Sequence, residues 1–151
     1  MPKTQGRREG MEEASYPVIT DIRANWHWIK PIIEDILEDS PQFTYIPEDV
    51  YAACKSGNAH CWVHDGGFLV SRFDFDPFTG GKTFFVWLAG AKDIGKDLGT
   101  RFVDFFKQAA LQNGCNKMEA CTGVSELEKH FIHTGWNKEY VVFSQNLANE
   151  E

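Results

Sequence analysis

The sequence predicts an α+β fold, and three observations carry that expectation. Apolar residues recur at helical spacing in 26–39 and in 99–114. Glycine turns divide a run of strand-like segments between 61 and 90. A strand, a short helix and a further alternating segment then complete the chain. The predicted order is β, α, α, β, β, β, α, β, α, β.

The first strand is YPVIT (16–20), where Pro17 is tolerable near a strand start or on an edge. WHWIKPIIEDILED (26–39) follows as a helix with Trp26, Ile29, Ile33, Ile36 and Leu37 on its apolar stripe. Pro31 is expected to kink it or to open its second half. In PEDVYAACKSGN (47–58), Pro47 suits a first helical position, Glu48 and Asp49 suit the positive end of the helix dipole, and Gly57 suits the stop. CWVHDGGFLVSRFDF (61–75) reads as a hairpin, because glycine relieves the positive φ of a tight turn. DPFTGGKT (76–83) is a second turn, and FFVWLAG (84–90) a strand whose continuous apolarity implies burial on both faces.

The chain goes on with GTRFVDFFKQAALQNG (99–114), a helix with Phe102, Phe106 and Ala109 on one stripe and Asn113-Gly114 at its end. CNKMEACTG (115–123) is a strand. Ser125 and Glu128 form a capping box for a helix that stops at Gly135, and WNKEYVVFSQNL (136–147) is a last strand or hairpin.

Length and composition narrow the function. With 151 residues, 42% of them hydrophobic, the chain is long enough for one domain around one core. The expected domain covers 16–147, between mobile tails at 1–15 and 148–151. A net charge of −7 disfavours a nucleic-acid binder, which needs a basic face to release counterions. Lys3, Arg7 and Arg8 are offset by Glu9, Glu12 and Glu13. No apolar run is long enough for a bilayer and no secretory signal is evident, so a cytoplasmic location without membrane contact is expected. Cys54, Cys61, Cys115 and Cys121 form no CxxC pair, which argues against a metal site and for reduced, mostly buried thiols.

The segment AGAKDIGKDLGTRF (89–102) resembles a phosphate-cradling loop that runs into a helix, and HFIHTGW (130–136) resembles a second motif. Together with the element order, they resemble the Gcn5-related N-acetyltransferase superfamily from about Val18 to Leu147. The resemblance implies a mixed central sheet flanked by helices. In that family the fourth strand feeds an R-G-x-G-x-G/A loop whose amides hold the pyrophosphate of acetyl-CoA. Unsatisfied N–H groups and the helix dipole favour an anion there.

On this chain the loop is I94-G95-K96-D97-L98-G99: Gly95 and Gly99 match, Ile94 replaces the arginine, and Asp97 replaces the middle glycine. The second motif, Y-x-x-x-G-F, falls on Phe131, Gly135 and Trp136. Phe131 stands where many members have the tyrosine that protonates the departing thiolate. Small phage-encoded members, some packaged in the virion, are similar in being short, aromatic-rich and eroded in this loop.

The resemblance implies acetyl-CoA as cosubstrate. The backbone of Leu88, Ala89, Gly90 and Ala91 would take the pantetheine, and the amides of Gly95, Lys96, Asp97, Leu98, Gly99 and Thr100 the pyrophosphate. Like charges about 4 Å apart repel by roughly 1–4 kcal/mol, so an Asp97 turned toward the phosphates would weaken the site. Turned to solvent in the first turn, it would be harmless. Lys92, Lys96 and Arg101 offer compensating charge, although each is better read as a solvated surface residue.

Five residues have the chemistry of a general base: His60, His64, His130, His133 and Glu119. Each histidine fits a structural role as well, and none of the five is singled out. Phe73, Phe75, Phe84 and Phe85 suit core packing, whereas Phe78, in a turn, could anchor a partner. Three readings follow: an N-acyltransferase with an acyl-CoA and an amine as substrates, a noncatalytic module of the same fold that binds a protein partner, or a degenerate fold that still binds CoA as a sensor. An enzyme should keep a gap between the fourth strand near Gly90 and the fifth near Met118. A structural module should close it with Phe131, Trp87 or Trp136. Acceptor and oligomeric state are not encoded in these motifs.

Overall fold

The computed structural model describes residues 15–147; all but Ser15 of the expected tails, 1–15 and 148–151, lies outside the described residues. β1 (Val18–Thr20) leads directly into α1 (Ile22–Glu38). This helix begins four residues before Trp26 because Asp21 caps it, its Oδ1 accepting the Arg23 N–H at 3.0 Å. Pro31 lies within α1 and does not end it. In α2 (Pro47–Lys55), Asp49 accepts the Ile46 N–H at 3.0 Å, and the chain turns away at Gly57, where φ is +86°.

β2 (His60–His64), β3 (Gly67–Phe75) and β4 (Lys82–Ala91) form the expected meander, and β5 (Lys117–Ala120) completes a five-stranded sheet. Strand order follows chain order, with every pairing antiparallel except β4–β5. The β2–β3 turn places both Asp65 (φ +44°) and Gly66 (φ +80°) in the left-handed region, as a tight hairpin turn requires.

Both sheet faces are covered, as the apolar run at 84–90 implies. Against one face, Ile22, Ile29 and Ile33 of α1 and Val50 of α2 pack with Cys61, Phe68, Val70 and Leu88. Against the other, Leu98, Phe106 and Ala110 pack with Leu69 and Phe84. An irregularity in β4 adjusts this layering. Leu88 pairs with Val70 but Val86 pairs with Ser71, so Trp87 is an extra residue. Strict alternation would send Leu88 toward the second core; the bulge lets Trp87 and Leu88 both pack against the first.

The helix expected at 99–114 is two helices: α3 (Leu98–Arg101) and α4 (Val103–Gln112), separated at Phe102 (φ −124°, ψ 33°). Leu98 is fully buried and Phe102 packs against the same core, its ring centroid 4.8 Å from that of His64 and 6.5 Å from that of Tyr16.

The chain forms two compact units, one ending at Cys121 and the other beginning at Thr122. The second holds α5 (Ser125–His133), which ends before Gly135 (φ +97°) as expected. The predicted capping box does not form. Thr122 Oγ1 takes the Val124 N–H at 3.0 Å, which makes Val124 the cap, and Glu128 pairs instead with Lys138 at 2.9 Å. Phe131 and Trp136 lie 5.0 Å apart, ring to ring. The segment 136–147 is not the strand its alternation predicts. A strand needs a ladder partner, and α5, the other element of this unit, presents no sheet edge. Tyr140, Val142, Phe143 and Leu147 stay exposed along it.

Candidate functional site

β5 is short, and its shortness shapes the candidate cleft. It pairs with β4 only from Thr83↔Lys117 to Val86↔Ala120. Beyond the Trp87 bulge, Leu88, Ala89, Gly90 and Ala91 pair with β3 on one side. Their other edge has no ladder partner among the described residues, whereas Met118, where the gap was expected to reach, pairs with Phe84. Leu88 is buried, while Ala89, Gly90 and Ala91 are partly exposed. Gly90 must lack a side chain, since a Cβ there would meet Ile32 Cγ2 at 2.5 Å and Phe68 Cε1 at 2.9 Å. Trp87 does not fill the gap; its ring packs 5.3 Å from Tyr45, on the α1–α2 side of the sheet.

The loop after β4 is organised differently. Gly95 is exposed and takes a φ of +89°, a conformation that favours glycine. Asp97 faces neither outward nor into an anion site. It is the N-cap of α3: Oδ1 accepts the Gly99 N–H at 3.1 Å and Oδ2 the Thr100 hydroxyl at 2.6 Å. The carboxylate therefore occupies part of the helix terminus that the family resemblance assigns to a phosphate oxygen. Leu98 anchors the loop by complete burial in the second core.

The compensating cations are engaged as well. Lys96 Nζ lies 2.6 Å from Asp65 Oδ2, and Arg101 reaches the same oxygen at 3.9 Å. The hydrogen bond from Lys96 holds the Asp65 carboxyl below its ordinary value. Lys92 stacks its ammonium 4.8 Å from the Trp28 ring. Sequence reading took Asp65 as a turn residue only. Nothing in the DGG motif says that its carboxylate faces a loop some thirty residues on.

The candidate bases separate by face. His60 and His64 lie on the second-core side: His60 is 5.9 Å from Phe73 and His64 4.8 Å from Phe102, ring to ring. Glu119 on β5 pairs in register with Phe85, so both share the α1–α2 side, together with Arg72, which pairs with Phe85 from β3. His130 and His133 end α5 in the second unit. Thiol chemistry is not favoured at Cys54 and Cys61, since burial pushes Cys61 up to about 12 and Cys54 up to about 11. Cys121 is exposed. Among the described residues no helix is long and apolar enough to cross a membrane.

Neither a protein-family model nor a curated protein matches the chain in sequence. Solved structures do match in shape. A ribosomal-protein-alanine N-acetyltransferase from Brucella melitensis is 13% identical, covers 87% of this chain and 99% of its own, and has a TM-score of 0.64. An aminoglycoside acetyltransferase from an uncultured soil metagenomic sample, in complex with sisomicin, is 12% identical over 89% of this chain and 98% of that one, at 0.61. An aminoglycoside N-acetyltransferase in complex with CoA is 12% identical over 86% and 98%, at 0.58. With the mixed five-stranded sheet and its flanking helices, these likenesses establish that the chain has the Gcn5-related N-acetyltransferase fold.

Proposed function

We propose that the protein is an acyl-CoA-dependent N-acyltransferase with a weakened pyrophosphate loop. The observation that carries this reading is the unpaired edge of β4 past Val86. An extended ligand with its own amides, such as pantetheine, can add to that edge as a further strand would. Leu88–Ala91 would hold it, and Gly90 leaves the strand close to its neighbours. The loop fits less well, because Asp97 already accepts the Gly99 amide and sets a negative charge beside any phosphate. The Gly95 and Thr100 amides remain available, together with Lys96 if it leaves Asp65.

Acyl-CoA supplies a thioester; a neutral amine attacks its carbonyl carbon, the C–N bond forms, the C–S bond breaks, and CoA leaves as the thiol. Glu119 has a carboxylate on the face next to the edge and would take the proton that the ammonium must lose, directly or through water. Phe131 offers no dissociable proton, so the leaving thiolate would draw one from water. Orientation of the two reactants would supply most of the acceleration. The setting would be the cytoplasm.

The test is thiol release from acetyl-CoA across a panel of amines. Turnover that falls by about 10²- to 10⁴-fold in Glu119→Gln supports the reading. No thiol release with any amine counts against it. In that case the second reading stands, a noncatalytic module that docks a protein partner in cytoplasm or virion. Asp97 satisfying its own helix end favours it, as does Phe78 at 93% exposure on a turn tip.

A further inference from the structure

The sheet face beside the open edge carries a charge pattern of which the acyltransferase reading uses only Glu119. Registered partners share a face, so two rows cross three strands: Asp74, Thr83 and Lys117, then Arg72, Phe85 and Glu119. The four charged side chains remain 36–42% exposed. Ion pairs run along the strands, Arg72 to Asp74 at 3.0 Å and Lys117 to Glu119 at 3.1 Å. Across the second row, a cation and an anion therefore face each other over a phenyl floor. With neighbouring strands about 4.8 Å apart, their Cα atoms are roughly 10 Å from one another.

Arg72 is held in an unusual way for a surface arginine. Its guanidinium carbon lies 4.4 Å from the Phe85 ring centroid and 5.5 Å from that of Trp87, so it leans from β3 over β4 toward Glu119. Only Nε is committed to Asp74, which leaves the terminal nitrogens as a fork for a carboxylate. Stacking fixes the plane of that fork. Glu119 meets Lys117 through Oε2 and keeps its second oxygen. Trp87, whose bulge begins the open edge, borders the same ground.

Building on the acyltransferase reading, we infer that the acyl acceptor is a free amino acid, its ammonium toward Glu119, its carboxylate on Arg72 and its body over Phe85. Two positive and two negative side chains balance, which matches a zwitterion. A diamine would set its second cation against Arg72. A peptide N-terminus would bring no carboxylate within reach.

The test uses matched series, alanine with ethylamine and alaninamide, phenylalanine with phenethylamine and phenylalaninamide, and lysine with cadaverine and lysinamide. Each is titrated by calorimetry into the full chain, with and without CoA. In at least one series the acid should bind about 10- to 100-fold more tightly than its amine and its amide, as for a charged hydrogen bond. Arg72→Gln should remove that preference and Arg72→Lys keep part of it, both with unchanged acetyl-CoA affinity. An amide that binds as well as its acid would indicate a peptide terminus and overturn the inference. So would a preference that survives Arg72→Gln, or no binding by any compound. Acetyl-CoA is titrated separately, so its failure would count against the acyltransferase reading and leave the amino-acid result interpretable.

Discussion

The β4 edge and the loop that follows it treat their own polar groups in opposite ways. Along Leu88–Ala91 the backbone has one ladder partner and leaves its other edge open. In the loop, Asp97 takes up Gly99 and Thr100, while Asp65 takes up Lys96 and Arg101. An open edge needs only a short β5 and a bulge, which few substitutions can undo. An anion site at a helix end depends on what the nearest side chains do, and here two aspartates already serve it. In the proposed cofactor site, the backbone part would thus persist while the charged part is neutralised from within.

The largest effect should come from detaching the loop. Leu98→Ala removes a fully buried side chain from the second core and should cost about 2–5 kcal/mol of stability, read from denaturant unfolding. If the cost is small, the loop is not anchored as described. Gly90→Ala attacks the edge instead. Its Cβ would press on Ile32 and Phe68, and a loss of about 1–3 kcal/mol with weaker acetyl-CoA binding is expected. A neutral Gly90→Ala would mean that close approach is not needed at that strand.

Asp97→Ala should cost only about 1 kcal/mol, the usual size for loss of a capping side chain. The smallest effect is a pH response. Asp65 has its carboxyl held below the ordinary 3.8, so its contact with Lys96 is complete above that value and is lost as the pH falls through the lowered one. The protection of amides in 92–97, relative to their intrinsic exchange rates, should fall only below about pH 4. A fall in protection between pH 6 and 8 would contradict the Asp65–Lys96 contact as the cause.

Much of this architecture is legible in the sequence, because periodicity and turn glycines are local signals. The meander, the turn at Asp65-Gly66, the helix stop at Gly135 and the outer loop glycines all follow from residues close in the chain. What was not legible depends on distant partners. The bulge at Trp87 reflects the register with Val70 and Ser71. The alternation in 136–147 is strand-like, but a strand also needs a neighbouring edge. At Asp97, sequence reading weighed phosphate-facing against solvent-facing, and the side chain folds back on its own helix. The cross-strand row of Arg72, Phe85 and Glu119 comes from three separate segments and has no motif at all.

Calorimetric titration of acetyl-CoA into the wild type and Asp97→Gly tests the contrast between edge and loop most directly. Weak binding by the wild type and about 10- to 1000-fold tighter binding by Asp97→Gly is the expected result, given the repulsion of a carboxylate about 4 Å from a phosphate. Equal affinity in the two proteins would contradict a loop held back by its own aspartate. No binding by either would contradict a cofactor edge on β4.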